Sequence, residues 1–80
     1  MTNMDKLRGK IIALGALYNA KFDILDEDTV SEYGLAIHAI KVIFVEEPAW
    51  AVAFIAEKAR GCWPEVHVVE HGNRTLSFMA

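Results

Sequence analysis

Only one cysteine, Cys62, occurs in the 80 residues, so no internal disulfide braces the fold and packing alone must hold it. A reducing cytoplasm is the simplest setting for such a chain, and a cytoplasmic location is expected. Basic residues are outnumbered eight to eleven by acidic ones, for a net charge of −3. That balance disfavours non-specific nucleic-acid binding, which draws its affinity from a surplus of Lys and Arg. No uncharged run approaches the ~20 residues of a membrane-spanning helix. The spaced Asp and Asn ligands, central Gly and final Glu of a calcium loop are also missing. No serine or cysteine has a histidine and an acid near it in sequence to suggest a nucleophilic triad. The expectation is therefore a non-enzymatic chain without cofactor or metal.

Lys6, Arg8 and Lys10 ahead of the apolar run Ile11–Ala20 imitate a secretory leader. Asp5 inside the basic region and Tyr18 where a small residue is needed argue for a helix of the folded domain instead.

What the chain has in excess is apolar side chains, 54% of its residues. Disorder is excluded, and a single globular domain spanning 1–80 with a sticky face is expected. Its size is near the lower limit for one core, since such a chain buries only about 60–65% of its unfolded surface.

Leu7, Ile11, Leu14 and Tyr18 recur at helical spacing, with Ile12 and Leu17 widening the stripe, and predict a first helix from about Asn3 to Tyr18. Thr2 and Asp5 form a weak capping pair, Asn19 suits a C-terminal cap, and Gly9 and Gly15 suggest close approach of another element. Phe22–Leu25 is too short to separate strand from loop. Thr29 and Glu32 have capping-box spacing, and Val30, Tyr33, Ile37, Ile40 and Phe44 alternate three- and four-residue steps, which favours a second helix over residues 30–44. The β-branched richness of Ile37–Val45 leaves a buried strand open there, with Gly34 ending a shorter helix.

The third helix has the clearest ends. Pro48 fits its first position and Gly61 a left-handed cap, Lys58 and Arg60 complement the C-terminal dipole, and Pro64 forbids continuation. Ala49–Ala56 carries no charge and is apolar all round, so burial on every side, including against a partner, is expected. Beyond Pro64 the pattern is strand, turn, strand. A three-residue loop, His71-Gly72-Asn73, would pair Val68 with Leu76 and Val66 with Phe78 on one face, set Glu70 opposite Arg74, and turn His67 and Ser77 outward. The expected fold is α+β: about three helices packed on a C-terminal antiparallel hairpin, with an extra short strand at 22–25 or 40–45 left open.

Three helices followed by a two-stranded hairpin resemble a winged-helix domain, in element order over nearly the whole chain and without a shared motif. The resemblance implies DNA read by the third helix, with phosphates touched by the hairpin. Here the third helix offers Trp50, Phe54 and Ile55 where Arg, Asn or Gln would read base edges. Nucleic-acid contacts would fall to Arg74, Lys6, Arg8 and Lys10.

Asp23, Asp26, Glu27, Asp28 and Glu32 form the densest charge cluster. Helix capping accounts for such acids, and so does a surface that steers a basic protein partner. Trp50, Phe54 and Trp63 suit either the core or an interface anchor, because Trp is enriched at binding hot spots. Cys62, His67 and His71 invite a zinc site, but two residues four apart on a strand are separated by about 13 Å. The favoured reading is a small acidic protein-binding module that self-associates as a homodimer and occludes a partner. An inhibitor carried by a phage or other mobile element is its concrete form. A winged-helix DNA regulator and an assembly subunit are the alternatives.

Overall fold

The computed structural model describes residues 3–80, with the side chain of Glu32 outside the description. It is an α+β fold of two helices and one four-stranded antiparallel sheet. Chain order is α1 (Asn3–Leu17), β1 (Phe22–Glu32), β2 (Leu35–Phe44), α2 (Ala49–Cys62), β3 (His67–Gly72) and β4 (Thr75–Met79). Strand order across the sheet is β1-β2-β4-β3. The chain therefore folds as two successive helix–hairpin units whose second strands, β2 and β4, meet in the middle. Winged-helix order is not observed.

The expected helix over residues 30–44 is the main correction. Those residues form the end of β1, a tight turn and β2, so the strand reading of Ile37–Val45 holds and Phe22–Leu25 begins a strand of 11 residues. Tyr33 and Gly34 both have positive φ, 52° and 79°, the two-residue turn whose twist matches a hairpin. Thr29 and Glu32 therefore stand in a strand and not at a helix N-terminus.

The helices behave more nearly as read. Leu7, Ile11 and Leu14 are buried on α1, while Ile12 and Leu17 are exposed. Asn19 at φ 52° closes α1, with Ala20 N–H donating to Gly15 O at 2.8 Å and Asn19 N–H to Ala16 O at 3.3 Å. That is the paired-bond cap of a helix ending in a left-handed residue. Thr2 of the expected capping pair lies outside the described residues. Pro48 stands just before α2 rather than inside it, and Gly61 lies within the last turn, with Trp63 after it. Nor is α2 buried all round: Val52, Ile55, Ala56 and Ala59 face inward, while Trp50 and Phe54 are exposed.

In the C-terminal hairpin the face assignment is right and the register is not. Val68 pairs with Phe78 and Glu70 with Leu76, and a bulge at His71 separates Glu70 from the Gly72–Thr75 pair. The turn is Asn73-Arg74, both at positive φ. The bulge absorbs the odd residue that a three-residue loop was expected to absorb, which is why Val66, Val68, Leu76 and Phe78 are all buried.

Register across the sheet fixes its two faces. Ile40, Val42 and Phe44 share a face with Leu76, Phe78 and Val68, and both helices pack there in one cluster. Each fully buried Leu, Ile or Phe in it contributes roughly 1.5–3 kcal/mol. Among the described residues no helix covers the opposite, open face.

Candidate functional site

Pairing of β2 with β4 covers only Ala39–Ile43, extended by reciprocal backbone bonds between His38 and Ala80 at 2.8 and 2.9 Å. Beyond His38, among the described residues, β1 and β2 pair only with each other. Val30 faces Ile37, Ser31 faces Ala36, and Glu32 faces Leu35. A two-stranded ribbon thus projects past the end of the sheet. Alternation places Val30, Leu35 and Ile37 on its open face. At the turn Tyr33 is 97% exposed, and Leu35 beside it is 70% exposed. A non-glycine residue in the left-handed region costs about 1–2 kcal/mol. An exposed aromatic held at φ 52° on the tip of a ribbon is thus both strained and displayed. Helical spacing alone makes Tyr33 part of an apolar stripe over residues 30–44. Its signal was the Tyr33-Gly34 step ahead of a β-branched run.

The acidic cluster divides in two. Asp23, Asp26 and Asp28 are the strand partners of Ile43, Lys41 and Ala39 on the open face, so they line its β1 margin. Glu27, partner of Ile40, turns to the helix face and is not part of that surface. Arg8 on α1 takes it in a two-pronged contact, Nε to Oε1 at 2.7 Å and Nη2 to Oε2 at 2.6 Å, while Nη1 reaches Asp5 at 2.8 Å. This contact holds the Glu27 carboxyl below its usual range and pushes the Arg8 guanidinium further up. Glu32 ends β1 opposite Leu35. Helix capping does not account for these acids, because they lie in a strand, where Asp is disfavoured.

The aromatic anchors lie on the other side. Trp50 is 73% exposed in the first turn of α2. Phe54 packs edge-on against Tyr18 at 5.6 Å, with Lys58 Nζ 5.2 Å above its ring. Trp63 packs against the core, partly buried. Acids and aromatics therefore do not form one surface; the sheet lies between them.

The residues expected to touch nucleic acid are not gathered either. Arg8 is committed to Glu27 and Asp5, and Lys10 Nζ to Glu65 at 2.8 Å, which holds the Glu65 carboxyl below its usual range. Arg74 donates to Val45 O at 3.3 Å, at the Phe44 end of β2, while Lys6 lines a cleft with Ala36 and His38 at the opposite end. That cleft and another between α2 and the β3–β4 turn measure about 210 and 220 Å³. Both are smaller than the roughly 300–1,000 Å³ of small-molecule sites. His67 and His71 stand apart on β3, and among the described residues no three His, Cys, Asp or Glu side chains converge as a metal centre requires. No described helix is long and apolar enough to cross a membrane.

Comparison with family models, curated proteins and solved structures finds no match for this chain.

Proposed function

We propose that this chain is a non-enzymatic protein-binding module whose working part is the projecting β1–β2 ribbon. Tyr33, Leu35, Val30 and Ile37 anchor the ribbon in an apolar groove of the partner. Asp23, Asp26 and Asp28 beside them steer a basic rim into register, raising the association rate more than the final affinity. The observation that carries this reading is the tip: a strained, 97% exposed tyrosine on a ribbon that also displays Val30 and Leu35, exposed among the described residues. Large rigid aromatics of this kind supply binding energy at little entropic cost. Trp50 and Phe54, assigned as anchors from the sequence, give way to Tyr33 and Leu35 in this role.

The basic rim is the kind of surface a nucleic-acid-binding protein presents, so occluding such a surface is the mode of action we infer. A short, acidic, motif-free inhibitor from a phage or other mobile element fits that description.

The test is an affinity pull-down from host lysate, with and without nuclease, using the wild-type chain, Tyr33→Ser/Leu35→Ser, and Asp23→Asn/Asp26→Asn/Asp28→Asn. Support is a stoichiometric protein that survives nuclease, is lost with the tip variant, and is captured more slowly by the charge variant. Capture that ignores both variants, or that consists of nucleic acid alone and depends on Arg74, overturns the reading.

A further inference from the structure

The open face of the sheet carries acids along one margin and histidines along the other, and strand register sets them level. One row across the sheet runs Asp28, Ala39, Met79, His67. The next runs Asp26, Lys41, Ser77, Val69, and the third Asp23, Ile43, Thr75, Gly72. His71, at the bulge between the last two rows, hydrogen-bonds Ser77 Oγ at 2.6 Å and so also belongs to this face. Between the margins lie Ala39, Ile43, Val69 and Met79, half-buried and without a covering layer among the described residues. From this geometry we infer that a second copy of the chain covers the open face, related by a two-fold axis that runs parallel to the strands along the β2–β4 seam.

Such an axis lays β1 of each copy over β3 of the other and β2 over β4. Asp28 then meets His67 of the second copy, and Asp23 and Asp26 meet its His71. Along the axis Ala39 faces Met79, Ile43 faces Thr75, and Lys41 faces Ser77, so no two like charges oppose. An axis at right angles in the same plane would stack β1 on β1 and set Asp against Asp, which costs free energy. Aligned sheets cross at about 30°. At the outer strands, about 7 Å from the axis, that shifts facing rows by roughly one residue. Alternate acids on β1 tolerate the shift. Because the axis is parallel to the strands, both ribbons project from the same end, beyond the covered area. The dimer presents two Tyr33 tips side by side but encloses Asp23, Asp26 and Asp28, so it leaves the proposed tip free and competes with the steering role proposed for these acids.

The charged and polar groups on the contact are Asp23, Asp26, Asp28, Lys41, His67 and His71, so each margin sets carboxylate acceptors of one copy against imidazole N–H donors of the other.

Sedimentation equilibrium over roughly 10–200 µM measures this without any partner, so its failure is separate from failure of the ribbon reading. The expected result is a reversible dimer within this range. His67→Asp should weaken it about tenfold, and the exchange His67→Asp/Asp28→His should restore it. Ala39→Glu, at a half-buried position on the open face, should give a folded monomer by circular dichroism. A monomer across the range overturns the proposal. So does a dimer abolished by Trp50→Ser and indifferent to Ala39→Glu, or an exchange that fails to rescue while the variant stays folded.

Discussion

The ring of Phe22, at the start of β1, lies against the backbone of Gly15 so closely that a β-carbon there would sit 2.5 Å from Cε1 and 3.2 Å from Cδ1. Gly15 is what lets α1 settle onto the first strand. The ring has little freedom to retreat, because it also packs against Phe44 at 5.8 Å between centroids. Gly15→Ala should therefore destabilise by about 1–3 kcal/mol, the cost of overpacking exceeding the helix-propensity gain. Gly9, with open space around it, gives the opposite sign: Gly9→Ala should stabilise by roughly 0.5–1 kcal/mol. Urea midpoints of the two variants, read side by side, check both.

Arg8 and Glu27 tie α1 to β1 across 19 positions of sequence. The Glu27 carboxyl is held below its ordinary value of 4.5, chiefly by its hydrogen bonds with Arg8. A lowered folded-state value means the unfolded chain binds the proton more readily, so the contact's stabilisation is complete well above pH 4.5 and lost as the pH falls through the folded value. Thermal unfolding of wild type and Glu27→Gln should differ near neutrality and converge under acid. Salt should narrow the neutral difference, since both partners are solvent-exposed. A gap that widens under acid would mean that the contact is not what separates the two proteins.

How much of this was legible in the chain depended on whether one pattern held alone. On α1, Leu7, Ile11 and Leu14 had no competing period and gave both the helix and its buried side. At residues 30–44 two patterns overlapped. Val30 and Ile37 belong to the open face, Ile40 and Phe44 to the core, and Tyr33 to the turn between. A two-residue turn resets the alternation, and the resulting steps of three and four imitate a helix. The usual Asn-Gly or Asp-Gly signal was absent, and Asp26-Glu27-Asp28 looked like the first turn of a helix rather than a strand. The acids were recognised as a group, yet alternation sends Glu27 to one face and its neighbours to the other. Only the fold could divide them.

Trp50 and Phe54 share a helix but not an environment. Phe54 keeps an edge contact with Tyr18 and lies beneath the Lys58 ammonium, whereas the Trp50 side chain is largely in water. Phe54→Ala should cost about 1–2 kcal/mol from lost ring packing and partial burial. Trp50→Ser should stay within about 0.5 kcal/mol of wild type. Chemical denaturation decides. A large loss at Trp50 would mean that a second copy covers α2, not the open sheet face.

Tyr33 offers the sharpest opposition between stability and use. It occupies the first central position of the β1–β2 turn at φ 52°, where Asn or Gly carries a far smaller steric penalty. Its side chain, 97% exposed, has almost no contacts to lose. Tyr33→Asn, which restores the preferred Asn-Gly pair with Gly34, should therefore stabilise the monomer by about 0.5–1.5 kcal/mol. If the tip is the anchor, the same substitution should slow or abolish partner capture while the urea midpoint rises. A variant that is both more stable and fully competent would show that the displayed ring serves no contact. One that is less stable would show that the ring packs against the ribbon itself, and would remove the strain argument on which its display rests.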